Sequence, residues 1–204
     1  MTANDILASE EFKRCENFHG HVCPGLSIGY RAARIGLERL SEPRARDEEI
    51  AAVVETDACS VDAIQVITGC TFGKGNFIYK DNGKMAFTFF SRSSGKGIRI
   101  SMRPGAFAPD EEHMALLEKV MAGEATEEMQ ARFRQLHHQR SCDVLEMPEE
   151  ELFTITEVTL PLPAKARIEP SKTCDRCGEP TMASKLIVVG DSKQCRECAA
   201  LEPV

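Results

Sequence analysis

Two CxxC pairs near the end of the chain constrain its fold more tightly than anything else in the sequence. Cys174 and Cys177 flank two residues in CDRCGE, Cys195 and Cys198 do the same in CREC, and 17 residues separate the pairs. A CxxC turn aims both sulfurs at one point. Two such turns complete the tetrahedron that Zn²⁺ takes with thiolates at about 2.3 Å. Gly178 supplies the conformation that the tight turn needs. Between the pairs SKLIVVG reads as a strand, and CRECAALE opens as a helix, so a knuckle, a hairpin and a helix of treble-clef kind are expected. With four protein ligands the metal is closed to substrate and acts by holding a fold too small for a core. Two disulfides, chance spacing and an iron cluster are the competing readings, and Asp175 is a competing oxygen donor.

The remaining length allows one domain of ordinary size. Of 204 residues, 42% are hydrophobic and 28% charged, as in an ordinary globular chain. No apolar run approaches the roughly 20 residues of a membrane helix, and the start MTANDILASEEFKRC lacks a secretory pattern, so no membrane association and a cytoplasmic location are expected. Nine cysteines in a reducing compartment favour metal binding or redox chemistry over disulfides. A net charge of −7 disfavours nucleic acid as the main partner.

Along the chain, apolar spacing predicts a helix over about 4–17. A second, LSIGYRAARIGLERL, opens at Pro24 and closes before Pro43. IAAVVET (50–56) reads as a strand buried on both faces, followed by a helix, SVDAIQVIT. FIYK and MAFTFFS flank Asn82-Gly83, which predicts a hairpin, and GIRISM extends that sheet. Residues 110–138 read as two helices broken near Gly123, and LFTITEVTL as a last strand. PLPAKARIEPSK, with three prolines, reads as a linker. The expected organisation is a core domain over 1–160, a linker over 161–172 and a zinc finger over 173–204.

His19, His21 and Cys23 alternate, so an extended segment would place all three on one side as metal ligands or catalytic groups. Cys23 precedes a helix N-terminus, where the dipole lowers a thiol pKa; a packed or capping cysteine is the alternative. Cys59 occupies a second strand-to-helix junction, and Asp62 follows one turn later. Cys70 begins TGCTFGKGN, whose glycines and Lys74 form either an anion-holding loop or, as the plainer reading, a glycine-rich turn. It is not a Walker A loop. His113, His137, His138, Cys15 and Cys142 read as solvated rather than functional.

FHGHVCPGLSIGYRAA and DACSVDAIQVITGCTFGKGN resemble the two signature stretches of the FmdE family, which takes its name from a component of the molybdenum formylmethanofuran dehydrogenase of methanogens. The resemblance implies an α+β fold with a thioredoxin-like core, a mixed β-sheet flanked by helices, and in some members a C-terminal treble-clef finger. It implies an active site of His19, His21, Cys23, Cys59, Asp62, Cys70 and Lys74, with a metal there. No CxxC redox motif lies in the core. It also implies association with, or an accessory role beside, other subunits that hold the molybdopterin and iron clusters.

The expected function is therefore a metal-binding, FmdE-like accessory protein. It would carry structural zinc in the tail and a second zinc or other transition metal in the core, with His21 and Cys59 as leading ligands. The first alternative is a stand-alone metal- or thiol-dependent enzyme acting on a small anionic, pterin-like compound. The second is a regulator whose finger binds nucleic acid, against which residues 161–204 carry seven Lys and Arg beside six Asp and Glu. A homodimer is expected, because a small mixed sheet leaves edges to cover and because family members are similar in this respect.

Overall fold

The computed structural model describes residues 1–108 and 110–201. Contacts divide the chain into two compact units, Met1–Lys165 and Ala166–Val204. In the first, β1 (Ile50–Val54), β2 (Phe77–Tyr79), β3 (Ala86–Ser91), β4 (Gly97–Met102) and β5 (Phe153–Val158) form one mixed sheet in the order β2-β1-β3-β4-β5. β1 and β2 are parallel and the other pairings antiparallel. β1 is an interior strand, paired on both sides and buried throughout, as its unbroken apolar run requires.

The hairpin expected at Asn82-Gly83 does not form. β1 lies between the two strands that the turn was expected to pair, with Val53 beside Ile78 on one side and beside Thr88 on the other. The helix α4 (Ser60–Thr68) carries the chain from β1 to β2 as a parallel crossover, which overrides the local turn signal.

The other helices of this unit are α1 (Ala3–Ala8), α2 (Glu10–His19), α3 (Pro24–Leu40), α5 (Glu111–Met121), α6 (Glu127–Glu146) and α7 (Glu149–Leu152). The single helix expected over 4–17 is two, because Ser9 is extended. Its hydroxyl donates to the carbonyl of Ile6 at 2.6 Å and accepts from the amide of Phe12 at 3.1 Å, closing one helix and capping the next.

α3 is the helix that the core is built around. Leu26, Ala33 and Leu40 join Ile64 and Ile67 of α4 and Phe87, Phe89 and Ile100 of the sheet in one apolar cluster. Two glycines let α3 come this close. A Cβ on Gly36 would lie 2.4 Å from the Phe89 ring, and one on Gly29 would lie 2.0 Å from the carbonyl oxygen of Ser60. Near their other ends, the Ala45 amide beyond α3 donates to Thr68 at the close of α4, at 2.8 Å. The two helices thus run side by side in the same sense, and their N-termini emerge together.

The second unit contains hairpins β6 (Ser171–Thr173) with β7 (Pro180–Met182) and β8 (Ile187–Val189) with β9 (Ser192–Gln194), then α8 (Arg196–Ala200). Among its described residues only Cys174 and Cys198 are buried. A module whose interior is thiols has no hydrophobic core to hold it together. Among the described residues no helix is long and apolar enough to cross a membrane.

Candidate metal centres

In the second unit, Cys174, Cys177, Cys195 and Cys198 bring their sulfurs within 4.8 Å of one another. The first knuckle closes through the Gly178 amide on the carbonyl of Cys174 at 2.9 Å, with Gly178 at a φ of +80°. The amides of Cys177 and Cys195 point at the sulfur of Cys174, the latter at 3.2 Å, and lower its pKa to about 6. Burdened by the neighbouring Cys195 sulfur and by burial, Cys198 is pushed up to about 12. Four thiols so close cannot all ionise alone, and a divalent cation removes that conflict. Asp175 is no competitor for the metal: its carboxylate accepts from the Lys193 amide at 2.6 Å and ties the first knuckle to β9. Arg176 donates to the carbonyls of Cys198 and Leu201, finishing α8.

The second centre lies where α3 and α4 emerge. His19 ends α2, Gly20 turns the chain at a φ of +99°, and Cys23 caps α3 by accepting from the Leu26 amide at 3.3 Å. That turn sets the rings of His19 and His21 4.6 Å apart and gathers His19, His21 and Cys23 with their ligand atoms within 4.8 Å. The Nδ1 of His19 is hydrogen-bonded to Asp62 at 2.7 Å, while its Nε2 lies 3.7 Å from the sulfur of Cys23. Sulfur and nitrogen on one tetrahedral zinc stand about 3.6 Å apart for bonds of about 2.3 and 2.0–2.1 Å, so the spacing fits shared coordination. A carboxylate holding the far nitrogen of an imidazole is the usual support of a metal-ligating histidine.

Cys59 precedes α4 without capping it. It lies beside α3, where a Cβ on Gly25 would come within 3.8 Å of its sulfur, and it acts electrostatically on Cys23. One turn inside α3 from Cys23, the buried Ser27 hydroxyl has no hydrogen-bond partner among the described residues. His21 is exposed and Cys23 buried, so the centre opens to solvent on one side. This donor set fits a transition metal with room for a further ligand.

The thiolate expected at Cys23 is not what the metal-free site favours. Burial pushes the thiol up to about 11, the Leu26 amide pulls against that, and the nearby Cys59 adds to it. The helix N-terminus is outweighed by loss of water.

Cys70 and Lys74 are not brought to this centre. Cys70 follows α4 at the end opposite Cys59, with a nine-residue helix, about 13.5 Å long, between them. It is fully buried, with its thiol on the carbonyl of Ile50 at 3.4 Å, and burial raises its pKa to about 11. The ammonium of Lys74 donates to the carbonyls of Arg46 and Asp47 at 3.4 and 3.2 Å. The loop's amides are also engaged: Thr71 donates to Asn76, Phe72 to Gln65, Lys74 to Thr71 and Gly75 to Phe72. With its lysine and most of its amides bonded within the protein, TGCTFGKGN fits the plainer reading of a glycine-rich turn.

Several residues expected to be solvated are not. Cys15 is fully buried. Cys142 is half-buried against the main cluster, 3.7 Å from the Nε2 of His138. His113 is only 6% exposed, bonded to Nδ1 of His137 at 2.9 Å and stacked on Phe133. Burial lowers the pKa of both histidines, and the neighbouring His113 lowers that of His137 further. A separation of 24 residues across two helices leaves no spacing signal for this pair; the signal on one helix is Phe133 and His137, four apart on one face.

Residues 18–154 match the family model described as FmdE, molybdenum formylmethanofuran dehydrogenase operon. The chain belongs to the FmdE family. Residues 167–202 match the prokaryotic dksA/traR C4-type zinc finger, which fits the four-cysteine cluster and supports structural zinc there. The chain is similar to a probable S-adenosyl-L-methionine-binding protein of Archaeoglobus fulgidus, at 34% identity over 180 residues. The match covers 85% of this chain and 49% of that protein, so the chain spans about half the length of the curated relative it matches. The crystal structure of a tungsten formylmethanofuran dehydrogenase FmdE-like protein from Syntrophus aciditrophicus superposes with a TM-score of 0.62 and 24% identity, covering 100% of both chains. That likeness establishes a shared fold.

Proposed function

We propose that this FmdE-family protein carries, besides its finger zinc, a transition metal in the core at His19, His21 and Cys23, with Cys59 beside the site but outside its three-ligand set. The carrying observation is the convergence of three soft ligand atoms within 4.8 Å, one of them already oriented by Asp62. A metal so held keeps a position for water or a small molecule, which separates it from the closed finger site. The role favoured for this site is accessory to a molybdenum or tungsten formylmethanofuran dehydrogenase-type system, as the family's name suggests. A homodimer and a thioredoxin-like description of the core belong to the same reading. The first is supported by the short edge strand β2, and the second by a β1-α4-β2 unit followed by an antiparallel pair.

Metal content of the full-length protein tests the core site. Wild type is expected to hold two metals per chain, His21→Ala one, Cys195→Ser one, and the double variant none. A wild type with one metal, kept by His21→Ala and lost by Cys195→Ser, would overturn the proposal and leave the finger intact.

A further inference from the structure

A cavity of about 540 Å³ lies where β3 begins and β4 ends, and its charged wall residues are Lys84, Arg99 and Arg103. Four further cavities each have at least one glutamate in the wall, and this one has none. In a chain of net charge −7 such a wall concentrates positive potential where the molecule as a whole repels anions. Ser101 and Thr154 add hydroxyl donors, and Met85, Ala86 and Met102 add an apolar surface.

The cations are only partly committed. Among the described residues no hydrogen bond or ion pair engages the ammonium of Lys84. Arg103 donates Nε to the carbonyl of Phe153 at 3.2 Å, and Arg99 gives one terminal nitrogen to Glu55 at 2.8 Å. Guanidinium groups fixed at one nitrogen keep further donors in a rigid plane, suited to a phosphate or carboxylate. Met85 also connects the cavity to the metal centre: its sulfur accepts from the Ser60 hydroxyl at 3.4 Å, and Ser60 adjoins Cys59.

We propose that this cavity binds a small organic anion, with a phosphate or carboxylate head held by Lys84, Arg103 and the free donors of Arg99 and an apolar body over Met85 and Met102. The proposal deepens the reading of the core as a small-molecule site, yet it needs no metal, so the two fail separately.

Isothermal titration calorimetry on the full-length protein at low salt, with phenyl phosphate, inorganic phosphate and phenylacetate as probes, tests it. Saturable binding is expected for phenyl phosphate and phenylacetate, weaker for inorganic phosphate, which lacks the apolar body; the ranking of the first two identifies the head group. Lys84→Gln should weaken binding at least fivefold and added salt should weaken it further. His21→Ala, and Arg34→Gln in a glutamate-walled cavity elsewhere, should leave it unchanged. Because Arg103 also holds the Phe153 carbonyl, Lys84→Gln is the deciding variant. No saturable binding of any probe at millimolar concentration, binding indifferent to Lys84→Gln, or binding abolished by His21→Ala alone would overturn the proposal.

Discussion

Gly29→Ala should be among the most damaging small changes in the larger unit, although in an exposed helix the same change stabilises by about 1 kcal/mol. The new Cβ would lie 2.0, 2.6 and 2.7 Å from the carbonyl oxygen, carbon and Cα of Ser60. The closest approach falls 1.4 Å short of an ordinary 3.4 Å contact. The obstacle is backbone, so α3 and α4 must separate and no side chain can swing aside. Overpacking of this kind costs about 1–3 kcal/mol, and three backbone contacts put it at the upper end, so that after the helix-propensity gain of about 1 kcal/mol the net loss is about 2 kcal/mol. At about 2–4 °C per kcal/mol for a unit of this size, the melting temperature should fall by about 4–8 °C. Cys23 and Cys59 stand at the starts of the two separating helices, so core metal should be held less tightly as well. Thermal unfolding followed by circular dichroism reads the first effect and competition with a chelator the second. Gly73→Ala, where nothing lies within 4 Å of the added carbon, is the control and should stay within about 0.5 kcal/mol of wild type. A Gly29→Ala protein as stable as wild type would refute the close helix pairing on which the core centre depends.

Two further outcomes follow from the same geometry. Asp62→Asn keeps the shape but removes the charge that orients His19, and should weaken core metal binding about 10–100-fold in chelator competition while leaving finger zinc in place. Glu55 is largely buried; burial works to raise its pKa, but hydrogen bonds from Asn82 and Arg99, with the charges of Arg99 and Lys84, outweigh it and hold the carboxyl below 4.5. A group lowered on folding stabilises above its unfolded value and loses that contribution as pH falls through the folded one. Glu55→Gln should therefore cost about 1–3 kcal/mol near pH 7 in urea unfolding, and the gap to wild type should close below pH 4.5.

The parts of this molecule legible in sequence are those set by local chemistry. Pro24 at a helix start, the apolar stripe of α3 and the paired cysteines of the finger each act over a few residues, and each appears where its spacing places it. Asn82-Gly83 misled because pairing is decided by which strand buries best beside β1, and a crossover helix can defeat a good turn. Ser9 broke a helix that apolar spacing alone reads as continuous, although Glu10 and Glu11 after it are an N-terminal signal. The grouping of His19, His21 and Cys23 was visible as alternation, but it arises through a helix end and a left-handed Gly20 rather than an extended face. Cys70 and Lys74 share a signature stretch with Cys59, yet a helix length separates them from it. The His113–His137 pair and the cation-walled cavity come from elements far apart in the chain, and no local pattern announces them.

X-ray absorption at the zinc edge, on full-length protein saturated with zinc and freed of excess, tests the central claim most directly. Two zinc ions per chain are predicted, in a mixed coordination shell with nitrogen at about 2.0–2.1 Å beside sulfur at about 2.3 Å, the nitrogen lost in His21→Ala with half the metal. One zinc per chain in a shell of four sulfurs, unchanged in His21→Ala, would contradict it.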